Sequence, residues 1–289
     1  MKTMFRILLV VFSLLVIFIS HFFYTRINIY QSYDVKLENV LAFTEKVSVK
    51  EGEPILLKIH SKEDCFGQLF KIKDSISLVL DSIEIEEFNQ SDNYNPIVGF
   101  AWRTNLIIST DSLSSGYYLF KVVEKKNSEN LYYHPILITP KKAGKISIIS
   151  STNTWQSYNS YAGRSNYVDE VSPSYYQKII SFFPSFKPIT YCSDQRPFSF
   201  MLNVNNILNV DVSEKTIHTG LITELDTFGI HKNPIISYDT IPSYLQHFFG
   251  EQYLIEFMEN NSINYGVYSD FDFAYNTDVS YLLAKINLE

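Results

Sequence analysis

The chain is poor in cysteine, glycine and proline, with two, ten and ten among 289 residues. Cys65 and Cys192 stand far apart and outside any C-x-x-C or Cys/His cluster, which leaves a cysteine-based zinc site unsupported. Whether the two pair or remain buried thiols is open. Histidine occurs at His21, His60, His134, His218, His231 and His247, with no H-x-x-x-H or H-E-x-x-H spacing, so a histidine zinc centre is not indicated. No G-x-S-x-G elbow is present, Cys192 lacks the small neighbours of a nucleophile turn, and phosphate-cradling glycine loops are missing. Basic charge is scarce as well: the net charge is −7, and no cationic cluster is longer than Lys125-Lys126 or Lys141-Lys142. A nucleic-acid partner is therefore not expected.

What is abundant is apolar and aromatic. A content of 46% hydrophobic and 16% aromatic residues suits packed cores, and the length suits about two domains. At the N-terminus, Lys2 and Arg6 precede an uncharged run from Ile7 to Tyr24, about the length that crosses a bilayer as a helix. Its end, Ile19-Ser20-His21-Phe22-Phe23-Tyr24, is too bulky for signal cleavage, so residues 1–26 read as an uncleaved membrane anchor. The positive-inside rule then places the body, from about residue 27, in the periplasm or outside the cell.

From Val35 to Pro140 short apolar alternations are separated by polar turns: Val47 to Lys50, Ile55 to His60, Ser75 to Leu80, Asn105 to Ser109, Gly116 to Val123 and Tyr132 to Thr139. This spacing predicts an immunoglobulin-like β-sandwich over 35–140. Thr139-Pro140-Lys141-Lys142-Ala143-Gly144 has the composition of a hinge. A second domain over 145–289 opens on a buried-type strand, Ile146 to Ser150. Helices are predicted over Ser174 to Phe183, Tyr253 to Asn260 and Asn276 to Leu282, with a strand over Asn264 to Tyr268, the βαβ logic of a doubly wound sheet. The expected fold class is thus α+β multidomain: a transmembrane anchor, an Ig-like sandwich and an α/β domain.

Directly after the Ile146 strand comes Thr154-Trp155-Gln156-Ser157-Tyr158-Asn159-Ser160-Tyr161-Ala162-Gly163-Arg164-Ser165-Asn166-Tyr167, dense in amides, hydroxyls and rings. Strand ends of this kind are where α/β proteins place chemistry. Gln156 and Asn159 either orient an amide carbonyl or satisfy loop backbone. Tyr158 is either a phenolate ligand for a hard metal ion or a packed tyrosine bonded to backbone. Arg196, beside Pro197, suits a clamp on an anionic group. Glu251 and Glu256 read as complements to a helix dipole, and Asp270 and Asp272 share one side of an extended segment or cap a helix.

The run resembles the T-W-Q-A-Y-N-x-x-G-G-x-S-x-Y pattern of the N,N-dimethylformamidase large-subunit family, with Ser157 in place of Ala and Ala162 in place of the first Gly. Arg196-Pro197 resembles its R-P element, and Asp270-Phe271-Asp272-Phe273 its D-x-D-L element. The resemblance implies an α/β core of the glutamine-amidotransferase type and hydrolysis of C–N amide bonds assisted by iron held through tyrosine and glutamate oxygens. Tyr158 would ligate the metal, Gln156 and Asn159 would orient a small amide, and Arg196 would support the pocket. The resemblance covers about the first half of that catalytic domain, which implies a truncated domain, a second chain that completes it, or a pared-down fold that no longer catalyses. The alternative is a surface binding protein for a glycan or a protein partner, its aromatics stacking on sugar faces.

Overall fold

The computed structural model describes residues 2–28, 31–73, 76–142, 146–159, 161–163, 165, 192–198 and 245–275. Helix α1 spans Lys2–Asn28. It is followed by β1 (Tyr33–Asp34), β2 (Val40–Thr44), β3 (Ser48–Lys50), β4 (Ile55–Ser61), β5 (Cys65–Ile72) and β6 (Ile76–Ile85). Then come β7 (Asn93–Asn95), β8 (Gly99–Phe100), β9 (Leu106–Ile108), β10 (Gly116–Glu124), β11 (Leu131–Thr139) and β12 (Ile146–Ser150). The remaining elements are α2 (Thr152–Tyr158), a 3₁₀ turn (Tyr161–Gly163), α3 (Leu245–Asn260), β13 (Tyr265–Ser269) and α4 (Asp270–Tyr275).

The strands form sheets ordered β3-β11-β10-β5-β6, β2-β4-β9, β1-β7-β8 and β12-β13. The five-stranded sheet is antiparallel except where β3 runs parallel to β11, and Phe120 at its centre sits opposite Leu69 on one side and His134 on the other. Strand β5 alternates between buried and half-buried residues along most of its length, the signature of a sheet with one face on a core. Strand β2 lies across β11 and β10, so Leu41, Phe43, Leu57, Ile59, Phe120, Val122 and Ile136 pack into one apolar core.

Strand β11 is instead buried along nearly its whole length, because β13 covers part of its other side. The Val267 amide donates to Ser115 Oγ at 3.1 Å, and Gly266 lies so close to Pro140 that a Cβ there would come within 2.7 Å of its ring. The β12–β13 pair is parallel, Ile146 opposite Tyr265 through Ser150 opposite Ser269, so both carboxyl ends meet at one edge.

Two expectations are corrected. The anticipated α+β class with an anchor, an Ig-like sandwich and an α/β glutamine-amidotransferase-type domain gives way to a chain whose described residues are mostly strand with few helices. Among the described residues the parallel pair β12–β13 packs against β11 of the antiparallel sheet, and the alternating aromatic and β-branched runs of 35–140 favour strands. Among the described residues, moreover, no helix is long and apolar enough to cross a membrane. The strongly apolar stretch of α1, Ile7 to Ile19, ends at Ser20-His21 and rises about 20 Å, short of a hydrocarbon core of about 30 Å. That overturns the single-pass anchor and the periplasmic or external placement built on it. The predicted helices over Ser174 to Phe183 and Asn276 to Leu282 lie outside the described residues.

Candidate functional site

Two polar groupings gather beyond the carboxyl end of β12. The first is built on carboxylates. Glu251 of α3 accepts from Tyr117 Oη at 2.7 Å and Ser150 Oγ at 2.6 Å through one oxygen, and from the Ser151 amide at 3.0 Å and the Ser151 hydroxyl through the other. Four donors fill a carboxylate's acceptor sites, so Glu251 ties the sheet, β12 and α3 together. Burial, followed by the Glu251 charge, pushes the Tyr117 phenol far above its ordinary range, which keeps it a donor.

Asp270 accepts from Thr152 Oγ1 at 2.6 Å and from the Asn153 amide at 2.9 Å, and so covers the start of α2, where Ser151 supplies no side-chain cap. Asp272 accepts from Ser48 Oγ at 2.8 Å and from the Ser269 amide at 3.0 Å. Its burial raises its pKa, partly offset by those donors. Asp270 and Asp272 stand in the first turn of α4, not in an extended segment, and therefore serve different partners.

The second grouping is the motif itself. Residues Thr152 to Tyr158 fold as a short helix with Asn159 as its C-cap. Fully buried Asn159 donates to Pro197 O at 2.9 Å and accepts from the Tyr161 amide at 3.1 Å. Arg196, also fully buried, donates to Tyr161 O at 3.1 Å and Gln156 O at 3.3 Å. Tyr132 on β11 donates to Phe198 O at 3.1 Å while accepting from the Phe198 amide at 2.6 Å. Asn159 and Arg196 are thus brought together, and both side chains bond main-chain groups.

Gln156 differs: its side chain is half-buried, one turn on from Thr152, and its contact with Asn159 Nδ2 is long at 3.5 Å. Trp155 is 1% exposed and packs as a wall against Tyr117. Ala162 adopts φ 66°, the left-handed conformation that glycine takes without strain, followed by Gly163 at φ 74°. The side chain of Tyr158 lies outside the described residues.

No group of three or more His, Cys, Asp or Glu side chains among the described residues could hold a metal ion. The three carboxylates at this edge, Glu251, Asp270 and Asp272, are engaged with hydroxyl and amide donors and are not poised to ligate a metal ion.

Sequence reasoning placed Glu251 at a helix start. The helix in fact begins at Leu245 and runs through Gly250, which puts Glu251 a turn and more inside it. The run Ser150-Ser151-Thr152, three hydroxyls at the end of a strand, was the legible signal for the donors to Glu251 and Asp270. Tyr117 and Tyr132 carried no signal among 21 tyrosines.

The described chain is strand-rich, and its polar edge lies beyond one pair of parallel strands, rich in hydroxyls and carboxylates and next to an amide-bearing helix. The model of the N,N-dimethylformamidase beta subunit-like family, C-terminal region, matches residues 84–285, and the chain belongs to that family. The match begins inside β6, well ahead of the motif run. No curated protein matches the chain.

Proposed function

We propose that the protein hydrolyses the C–N bond of a small amide, with Gln156 as the side chain that orients the substrate carbonyl. The observation that carries this reading is the position of Gln156: half-buried beyond the parallel strand ends, on a helix whose neighbouring Asn159 and Arg196 are taken up by backbone. A side-chain N–H aimed at a carbonyl favours the charge that develops there as water adds. Asn159 and Arg196 act in this reading through the shape of the loop. Family membership supports a hydrolase-related chemistry.

Iron remains part of the proposal through Tyr158, and would supply Lewis-acid polarisation of the carbonyl and activation of water. Tyr158→Phe in the full chain, purified without chelator and analysed for metal, tests that part: about one iron per chain in the wild type and less in the variant is expected. Release of amine from a panel of simple amides tests the hydrolysis itself. No release with any amide, from folded protein loaded with iron, contradicts it.

Nothing described favours the glycan-binding alternative. Trp155, Tyr94, Tyr117, Tyr118, Tyr132, Phe43, Phe100, Phe120 and Phe198 are fully buried, so these rings belong to the core and offer no face to a sugar.

A further inference from the structure

Residues 192–198 form a strap between the antiparallel sheets and the motif helix. On the sheet side, the Phe100 amide donates to Gln195 O at 2.9 Å, and the Ser193 amide donates to Pro96 O at 2.9 Å. Lys58 Nζ donates to Gln195 Oε1 at 2.9 Å, while Gln195 Nε2 donates to Glu45 O at 2.8 Å. Gly99, at φ 78°, passes so close that a Cβ there would stand 2.4 Å from Gln195 O. The phenol of Tyr132, buried in β11, holds both the N–H and the C=O of Phe198, as a neighbouring strand would. On the motif side, Arg196 reaches two carbonyls that bracket Asn159, and Asn159 reaches back to Pro197.

A loop whose polar ends are fixed from two directions loses conformational freedom before substrate arrives, which is how positioning lowers a barrier. We propose that Tyr132 and Arg196 are positioning residues: through the strap they fix the Gln156–Asn159 turn at the strand edge, so that the antiparallel sheet sets the geometry of the site. As a statement about catalysis this rests on the amide-hydrolase reading above; as a statement about the turn it does not. Tyr132→Phe keeps the ring and removes both bonds to Phe198. Arg196→Lys keeps the charge and cannot span two carbonyls.

The test is amide hydrogen exchange on the full chain, comparing a peptide over 155–163 with one over 117–123 in β10, together with kcat and KM on any amide that the wild type cleaves. Exchange over 155–163 is expected to accelerate about tenfold in each variant while β10 is unchanged. The kcat is expected to fall about tenfold or more with KM within about twofold. Unchanged exchange over 155–163 in both variants overturns the proposal, as does acceleration shared equally by β10, or an unaltered kcat. If one variant fails to fold, the other carries the test. If the wild type cleaves no amide, the hydrolase reading falls, and the exchange pattern alone decides whether the strap positions the turn.

Discussion

The antiparallel sheets and the edge beyond β12 and β13 are held by different forces. In the sheets, main-chain ladders align apolar side chains: Phe120 is flanked by Leu69 and His134, and Leu41, Phe43, Leu57 and Ile59 close the core from the facing sheet. At the edge, side chains replace ladders. Glu251 gathers Tyr117, Ser150 and Ser151, Asp270 gathers Thr152 and the Asn153 amide, and Arg196 gathers two carbonyls. Apolar burial is non-directional and tolerant of small shifts, whereas polar clasps fix geometry and lose their worth when one partner goes. The first region suits a platform, the second a site.

The largest expected effect lies in the platform. Phe120→Ala should cost about 3–5 kcal/mol in global stability, measured by urea unfolding, because a fully buried ring leaves a cavity. An unfolding midpoint close to wild type would mean that the two sheets do not share one core. At the edge, Glu251→Ala strands a buried phenol and the Ser150 and Ser151 donors. It should cost about 2 kcal/mol and speed exchange in β12 and α3 before β10. Equal acceleration in β10 would erase the distinction between the regions.

A pH scan separates the regions again. His134 is buried, accepts the Thr44 amide at 3.2 Å and is pushed by burial from its ordinary 6.5 down to about 3. A depressed histidine pKa gives stability that is complete above pH 6.5 and is lost as pH falls toward 3. The expected slope below pH 6.5 is about 1.4 kcal/mol per pH unit, flattened in His134→Gln, whose amide oxygen still accepts from Thr44. Asp272 works with the opposite sign: its raised pKa gives stability present at low pH and lost as pH rises through its folded value. The smallest effect is a gain: Ala162→Gly should stabilise by about 1 kcal/mol or less, since φ 66° strains alanine. A loss there would mean that the turn is held less tightly than its bonds imply.

Much of the platform was legible in the sequence. The alternating runs at Val47, Ile55, Ser75, Asn105, Gly116 and Tyr132 all became strands, and so did Ile146 and Asn264, because period-two patterning reports the buried face directly. Strand β5 went unread because Phe66 and Phe70 stand on its half-buried face and Lys71 on its buried one, which blurs the hydropathy alternation of Cys65–Ile72. The anchor was over-read from length and lack of charge. The motif was legible as composition but not as geometry: nothing in Gln156, Asn159 and Arg196 says which of them faces backbone, because that depends on a strap that meets them only in three dimensions.

The most direct measurement is amine release from simple amides by the full wild-type chain and by Gln156→Ala, with both folds checked by urea unfolding. Hydrolysis by the wild type is expected, with a loss of about a hundredfold or more in kcat/KM for the variant and matching unfolding curves. Hydrolysis undiminished by the substitution would contradict the role given to Gln156, and no hydrolysis by iron-loaded wild type would contradict the function.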